Sequence, residues 1–419
     1  MRYQAPRGTQ DLFPGRTHVW QELERRYFAL AARYGYGEIR TPMFEEAALF
    51  LRTSGEESDI VQKEMYRFTD LGGRELALKP EGTAPTVRAA VDAKVFAPGA
   101  IHRYAYRTEI FRYGRQGRGR FRQAHQFGAE LLGSATAYAD AEVIELAMDA
   151  CTVFGLRDAV VRVNSIGREE TRREYGEALL THLASYMAGL PEDQADRIRR
   201  HPLGVLDTKD PALQAAIEGA PSILGYLDPE SAARFRTLVE LLQSANVRFE
   251  IAPEIVRGLD YYTETVFEIV SPSLPGLSIA GGGRYDDLVR EIGGPPTPAA
   301  GFGIGIERVI LCLEELGALP VAADPLFFVV SATPDAVTEV RNIVRHLRSV
   351  GHTALHDLEV RSLKSQLRQA NASGARYAIL IGEDEKAANL ITVRDLAASA
   401  QTTMTLTEFL AQINSYVTG

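Results

Sequence analysis

The chain has 419 residues, more than one compact core usually supports, so two or three domains are expected. A hydrophobic fraction of 45% and a charged fraction of 24% are typical of globular proteins and exclude a disordered or fibrous chain. The net charge of −9 argues against nucleic-acid binding over the whole surface, so a polyanion would need local basic patches.

The first predicted elements are a helix and a series of strands. Residues 16–34 carry apolar side chains at helical spacing, namely Val19, Trp20, Leu23, Tyr27, Leu30 and Ala31. Residues 38–42 read as a short strand that ends at Pro42. Alternating or aromatic-rich runs predict antiparallel strands at residues 75–78, 101–111, 124–132 and 159–164.

The pattern changes after residue 168. Residues 169–244 have a helical pattern with mixed charges, which predicts a helical insertion. Strands resume at residues 249–251, 265–270 and 277–280, a glycine turn follows at 281–283, and residues 302–316 read as a strand leading into a helix. We therefore expect residues 1–168 and 245–317 to form an α+β domain, with an antiparallel sheet flanked by helices.

The remaining residues predict a second domain. Residues 318–325 contain two prolines and three alanines without periodicity and are the expected linker. In residues 326–419 strands alternate with helices, which predicts a smaller α/β domain with a mostly parallel sheet. Residues 325–419 contain nine Lys/Arg and nine Asp/Glu (9 − 9 = 0), so the negative charge lies in residues 1–324.

The lengths of the apolar segments and the number of cysteines predict where the protein is located in the cell. No stretch approaches the roughly 20 apolar residues of a membrane span, and the N-terminal residues lack the apolar segment of a secretory signal. Two distant cysteines, Cys151 and Cys312, can form neither a disulfide framework nor a zinc site of the usual spacing. We expect a cytoplasmic protein without membrane contact or bound zinc.

The segment from Arg112 to Gln123 carries the strongest chemical signal. It places five arginines within eleven residues, and no acid occurs between Glu109 and Glu130. Guanidinium groups bind phosphate oxygens in a fixed fork, so this glycine-containing loop suits a triphosphate or an RNA end. A solvated basic loop is the alternative.

Two further patterns suggest a ligand pocket. On the strand after this loop, Gln126, Gly128 and Glu130 share one face, which suits a small polar ligand unless that face is simply solvent-exposed. Glycines alternate from residue 301 to 305, so a flat ring could lie against that strand, and Arg308 follows at the start of a helix.

A basic helix face is predicted in the second domain. Lys364 and Arg368 project together with Arg361 just ahead, whereas Leu363, Leu367 and Ala370 form a separate apolar stripe. A solvated face is the commoner meaning of such a pattern, and contact with RNA is the alternative.

Together these segments resemble the three signature motifs of class II aminoacyl-tRNA synthetases. The N-terminal helix, strand and Pro42 resemble motif 1, residues 111–130 resemble motif 2, and residues 303–308 resemble motif 3. Residues 257–262, 282–285 and 79–83 resemble segments of the histidyl-tRNA synthetase family, and residues 361–384 resemble its anticodon-binding domain. The resemblance covers nearly the whole chain in the right order.

The resemblance implies roles for individual residues. Catalysis would involve Arg257 and Arg112, and ATP would be bound by Arg112, Arg120 and Arg308. Mg²⁺ is expected to accompany ATP. L-Histidine would be bound by Glu81, Thr83, Gln126, Glu130, Tyr261, Tyr262 and Tyr285. Contacts with tRNA(His) would involve Arg115, Arg361, Lys364 and Arg368. Motif 1 implies a homodimer.

The sequence departs from the family at Gly114. Members usually carry an acidic residue there, which helps to hold the adenine amino group, and Glu109 is the nearby acid that could replace it. The departure leaves open a regulatory subunit of ATP phosphoribosyltransferase, which resembles the synthetase core but does not aminoacylate. The presence of Arg112, Arg257 and Arg308 and of the second domain in this chain favours the enzyme. A synthetase for another amino acid is disfavoured because the polar groups of residues 257–262, of Glu130 and of residues 282–285 match an imidazole.

Overall fold

The computed structural model describes residues 3–54, 58, 60–208, 210–256, 259–320, 327–413 and 416. The chain divides into two compact units, residues 1–320 and 321–419. In the part of the chain that the structure describes, no helix combines the length and apolar character needed to cross a membrane.

The first unit is built around an eight-stranded sheet and a smaller three-stranded sheet. Its strands are β1 Gly37–Glu38, β2 Phe44–Glu46, β3 Arg67–Thr69, β4 Glu75–Leu78, β5 His102–Phe111, β6 Gln123–Leu132, β7 Val160–Ser165, β8 Phe249–Ile251, β9 Thr263–Val270, β10 Ala280–Arg284 and β11 Ala299–Gly305. The large sheet has the order β1-β5-β6-β11-β10-β9-β7-β8, and the small one β2-β4-β3. All pairs in the large sheet are antiparallel except the outer pairs β1/β5 and β7/β8, so the predicted antiparallel sheet is confirmed in its centre.

Helices cover this sheet. They are α1 Thr17–Arg33, α2 Ala47–Ser54, α3 Thr83–Asp92, α4 Ala137–Phe154, α5 Glu169–His182, α6 Ala184–Met187, α7 Glu192–Arg200, α8 Pro211–Ile217, α9 Pro229–Ser244, α10 Leu288–Glu291 and α11 Ile306–Glu315. A π-helical turn covers Ile60–Glu64, and 3₁₀ turns cover Pro202–Asp207 and Ile223–Tyr226.

Helix α1 confirms the predicted apolar stripe. Its six predicted apolar side chains are buried, and the ring of Tyr27 stacks on Phe127 of β6 at 4.6 Å between centroids. The Tyr27 hydroxyl also donates to the carbonyl oxygen of Gly128 at 2.7 Å. His125 and Phe127 of β6 contact α1 through Trp20 and Tyr27. Because neighbouring residues of a strand face opposite sides, Gln126, Gly128 and Glu130 face the other side.

The sequence places Cys151 in an apolar helical pattern, but it assigned no bounds to the central helix α4. It is apolar on most of its surface because it packs against both α1 and α9, so its sequence shows little of the amphipathic period that marks a surface helix. Its buried Asp140 forms an ion pair with the fully buried Arg284 of β10 at 2.6 Å. This pair fixes one end of α4 to the sheet.

The prediction of a glycine turn at residues 281–283 is wrong. These glycines lie within β10, between β9 and β11. A β-carbon at Gly282 would collide with Phe267 and Phe302, and one at Gly283 would collide with the ring of Tyr262. The glycines are therefore required by close packing between strands and not by a turn.

The second unit has a five-stranded sheet of order β13-β12-β14-β15-β16. Its elements are β12 Phe327–Ser331, α12 Val337–Ser349, β13 Ala354–His356, α13 Leu363–Ala372, β14 Tyr377–Ile381, α14 Glu383–Ala388, β15 Leu390–Asp395, β16 Gln401–Thr405 and α15 Leu406–Ala411, with a 3₁₀ turn at Pro334–Ala336. Strands β13, β12 and β14 are parallel, but β14/β15 and β15/β16 are antiparallel, so the prediction of a mostly parallel sheet is wrong for half of it. Strand β16 was not predicted. It pairs with β15 in an antiparallel hairpin, because the segment between the two strands is too short for the crossover that a parallel pair would need.

Candidate active site

A cavity of about 330 Å³ opens on the face of the large sheet opposite α1. The structure brings nine of the predicted site residues to its lining: Glu81, Thr83, Arg112, Arg115, Arg120, Gln126, Tyr261, Tyr262 and Arg308. The candidate Arg257 lies outside the described residues. The segments of motifs 2 and 3, distant in sequence, therefore meet at one site.

Glycines of β11 make room for two polar side chains of β6. Gly301 is paired with Glu130, and Gly305 with Gln126. A β-carbon at Gly301 would collide with the Glu130 carboxylate, and one at Gly303 with the Gln126 amide. The alternating glycines thus leave space both for these side chains and for a ligand against the strand.

Glu130 lies in a buried cage of hydroxyl groups. Its carboxylate accepts hydrogen bonds from Thr83 Oγ1 at 2.7 Å, from the Tyr106 hydroxyl at 2.9 Å, and from the Tyr285 hydroxyl. Burial raises the pKa of Glu130 to about 8, although these hydrogen bonds partly oppose the shift. Tyr285 is buried behind the cavity lining, in edge contact with Tyr261 at 5.5 Å.

Tyr106 was missed by the sequence analysis. It lies opposite Gly128 on β5, and a β-carbon at Gly128 or at Gly82 would collide with its ring. The alternating side-chain directions along β5 could have placed Tyr106 on the same face as Gln126 and Glu130. The space for its ring, however, comes from Gly82 and Gly128, which lie in separate segments of the sequence. Its ring and hydroxyl therefore form one wall of the Glu130 cage.

Glu81 and Thr83 occupy the start of α3. The Glu81 carboxylate accepts hydrogen bonds from the backbone N–H groups of Thr83 at 2.5 Å and Ala84 at 2.8 Å, as a helix cap does. Burial raises the pKa of Glu81, and these backbone bonds oppose that shift. The cap holds Glu81 at the cavity and also directs the Thr83 hydroxyl toward Glu130.

The arginines of the cavity are held by backbone carbonyl groups. Arg112 Nε donates to the carbonyl oxygen of Pro80 at 2.8 Å. Arg308 donates from Nε to Gly119 at 3.3 Å and from Nη1 to Ser278 at 2.5 Å. Because the carbonyl partner of Arg112 is uncharged, the charge of this guanidinium remains available to an anion in the cavity. Arg115 and Arg120 are exposed at the same cavity.

Two cavity residues, His125 and Glu307, were also missed. Glu307 Oε1 lies 2.7 Å from His125 Nδ1, and the carboxylate accepts the backbone N–H of His125 at 3.1 Å. Both residues are buried, and the His125 ring meets Trp20 edge-on at 4.7 Å. No local pattern could have indicated this pair, since its members are separated by 182 positions.

Glu109 does not take the place of an acid at position 114. It lies on the opposite face of β5, paired with Arg107, which also contacts Glu24 of α1 at 3.2 Å. The acid beside Gly114 is Glu64, at the end of the π-helical turn and in the cavity lining. Successive side chains of a strand point to opposite faces, so Glu109 points toward α1, on the other side of the sheet from the cavity.

The basic residues predicted in the second unit lie on its surface. Lys364 and Arg368 are exposed on α13, and Arg361 pairs with Glu359 at 2.6 Å. The predicted apolar stripe is wrong at Leu363, which is 37% exposed. Leu363 is the first residue of α13, whereas Ala370, two turns later, is buried in a cluster with Phe328 and Val330 of β12.

The antiparallel sheet, its cavity and the second unit define a class II aminoacyl-tRNA synthetase fold. The family model for histidyl-tRNA synthetase matches residues 8–309, and the anticodon binding domain model matches residues 326–416. The chain therefore belongs to the histidyl-tRNA synthetase family, which confirms the resemblance drawn from its motifs.

Individual relatives match over the full length of the chain. The histidine–tRNA ligase of Thermosynechococcus vestitus is 42% identical over 413 residues, covering 98% of this chain and 96% of the relative. That of Geobacillus thermodenitrificans is 43% identical over 413 residues, covering 97% of each. The apo histidyl-tRNA synthetase of S. aureus has a TM-score of 0.80 and 32% identity, covering 100% of both chains.

A second solved structure bears on the alternative reading. A protein of Bacillus halodurans C described as an ATP phosphoribosyltransferase regulatory subunit/histidyl-tRNA synthetase has a TM-score of 0.65 and 25% identity. The match covers 91% of this chain and 99% of that one.

Proposed function

We propose that this chain activates L-histidine with ATP to form histidyl-adenylate and then transfers the histidyl group to tRNA(His). One observation carries the proposal: the buried Glu130 cage and the arginines of motifs 2 and 3 line or adjoin a single cavity. A polar pocket beside a cationic one suits an amino acid next to a triphosphate. The full-length likeness to histidine–tRNA ligases supports the same function.

In the activation step the histidine carboxylate attacks the α-phosphorus of ATP and pyrophosphate leaves. Arg112 would bind the α-phosphate, and Arg120 and Arg308 would bind the outer phosphates. Arg257 would stabilise the charge that develops as the carboxylate attacks. Mg²⁺ enters with ATP as part of the substrate. No covalent intermediate with the enzyme is needed, because positioning and electrostatic stabilisation supply the rate.

Selection of histidine would depend on the imidazole pocket. Glu130 and Tyr262 would bond the two ring nitrogens, with Tyr261 and Tyr285 lining the pocket. Glu81, Thr83 and Gln126 would take the α-amino end. Buried polar groups that await both nitrogens would reject amino acids without them by about 10⁴-fold or more.

The second unit would bind the anticodon stem-loop through Arg361, Lys364 and Arg368, while Arg115 would contact the acceptor end. Residues 1–168 and 245–317 would form the catalytic core, residues 169–244 the insertion, and residues 318–325 the linker. The cytoplasm, predicted from the sequence, stays the proposed location.

We further propose that the chain acts as a homodimer. Phe44 and Phe68 support this because they are 52% and 42% exposed and meet edge-on at 6.3 Å on the small sheet. Phe44 lies two residues after Pro42 of the predicted motif 1. Analytical ultracentrifugation tests it: a species of 46 kDa at micromolar concentration would contradict the proposal, and one of twice that mass would support it.

The decisive experiment is ATP–pyrophosphate exchange with each of the twenty amino acids. Exchange with histidine alone, lost in Arg257→Ala, supports the proposed chemistry. Folded protein that binds histidine without exchange would instead support a regulatory subunit. The presence of the matched anticodon-binding unit and of the arginines at the cavity favours the enzyme.

A further inference from the structure

Glu64 is an acidic side chain in a cavity otherwise rich in arginine. It is half-buried and lines the cavity together with Arg112, Arg115 and Arg120. Across the residues that the structure describes, no hydrogen bond or ion pair engages its carboxylate. Such a group would repel the phosphates of a nucleotide unless a hydrogen-bond donor of the ligand met it.

The backbone holds Glu64 firmly against the motif 2 segment. The N–H of Tyr113 donates to the carbonyl oxygen of Glu64 at 2.7 Å. The Tyr113 ring meets Tyr66 at 5.6 Å, and the guanidinium of Arg122 covers it at 3.7 Å. The backbone from which the Glu64 side chain extends is thus anchored to the motif 2 segment.

Gly114 leaves the space that this carboxylate occupies. A β-carbon at Gly114 would lie 2.9 Å from Glu64 Oε1 and 3.6 Å from its carboxyl carbon. A side chain at position 114 would therefore require the Glu64 carboxylate to shift. In this chain the carboxylate occupies the space beside Gly114.

ATP offers two kinds of neutral donor, the 6-amino group of adenine and the ribose hydroxyls. The apolar side chains of Ile110 and Phe121 line the same cavity and offer surface to a flat purine ring. We propose that Glu64 accepts a hydrogen bond from the adenine 6-amino group and thereby selects ATP over other nucleoside triphosphates. This inference rests on the proposed function.

The test compares three nucleotides in histidine-dependent pyrophosphate exchange: ATP, purine riboside triphosphate, which lacks the amino group, and 2′-deoxy-ATP. Glu64→Gln should lower kcat/KM for ATP about tenfold or more and leave purine riboside triphosphate nearly unchanged. The matched control is Glu75→Gln, which removes the same charge from an exposed position on β4 and should change neither.

A second experiment moves the carboxylate from position 64 to position 114, so that a recovery of function shows that the loss in the first variant was not caused by misfolding. Glu64→Ala should lose ATP selectivity, and adding Gly114→Glu should restore much of it, since the new carboxylate enters the space that Glu64 vacates.

Three outcomes would overturn the inference. In the first, Glu64→Gln lowers kcat/KM equally with ATP and with purine riboside triphosphate. In the second, Glu64→Gln lowers kcat/KM with ATP but not with 2′-deoxy-ATP, and in the third, a higher Mg²⁺ concentration restores the activity of the variant. The second assigns Glu64 to the ribose, and the third makes it a metal ligand. Failure of the wild-type protein to exchange with histidine would instead refute the proposed function itself.

Discussion

Glu307 of α11 ties the start of its helix to His125 of β6, with Oε1 2.7 Å from Nδ1 and both carboxylate oxygens 3.1 Å from the backbone nitrogen. Glu307 precedes Arg308, so this contact fixes the position from which that guanidinium enters the cavity. Motifs 2 and 3 are thereby joined by a buried carboxylate and not only by strand pairing.

Removal of this tie should impair nucleotide use more than histidine use. We expect Glu307→Ala to lower kcat/KM for ATP in pyrophosphate exchange about tenfold or more, because displaced groups lose their alignment with the phosphates. The KM for histidine should change little. Glu314→Ala is the control, since Glu314 lies on the same helix and makes only a surface pair with Arg16 at 3.2 Å. Equal effects of the two variants would contradict this role.

The raised pKa of Glu130 should make stability fall as pH rises. Burial raises the pKa to about 8, whereas an exposed glutamate has a value of 4.5. Between these two pH values the unfolded chain releases a proton that the folded chain retains, so the free energy of unfolding decreases with increasing pH and levels off above about 8. Glu130→Gln carries no such proton.

Unfolding by urea at several pH values between 5 and 8 measures this effect. The wild type should lose stability relative to Glu130→Gln across that range, and Glu75→Gln should follow the wild type because Glu75 is exposed. A difference between wild type and Glu130→Gln that stays constant with pH would refute the retained proton.

Arg112 should be more sensitive to conservative replacement than its neighbour Arg118. Arg112 lines the cavity, whereas Arg118 is exposed and pairs with Glu315. Arg112→Lys loses the planar fork that grips a phosphate, so kcat in pyrophosphate exchange should fall about 100-fold. Arg118→Lys should stay within about twofold of the wild type. Similar losses in both variants would assign the effect to the net charge of the loop.

The exposed basic face of α13 should affect tRNA charging alone. Replacing Lys364 and Arg368 together with alanine should lower kcat/KM for tRNA(His) about tenfold and reduce the salt dependence of charging, because phosphate contacts are lost. Exchange with histidine should be unchanged. The control is the double alanine variant of Arg341 and Arg345, which are exposed on α12 of the same unit. An equal loss in the control would point to overall charge.

Local periodicity was sufficient to predict several elements of this fold. The buried face of α1 and the ligand face of β6 follow from side-chain directions that repeat every 3.6 and every two residues. The arginines of motif 2 were recognisable because like charges rarely crowd together without a ligand. These features depend on neighbours in sequence, so the sequence by itself determined them.

Tertiary contacts decided the rest. Gly281 to Gly283 form a strand because β9 and β11 approach closely on both sides. The bounds of α4 were not predicted because its packing against α1 and α9 leaves little amphipathic contrast along its sequence. Glu64 meets Gly114, and Glu307 meets His125, only after distant segments fold onto one sheet. Side-chain periodicity gives the face a residue occupies, but only packing between distant segments decides which residue lies opposite it.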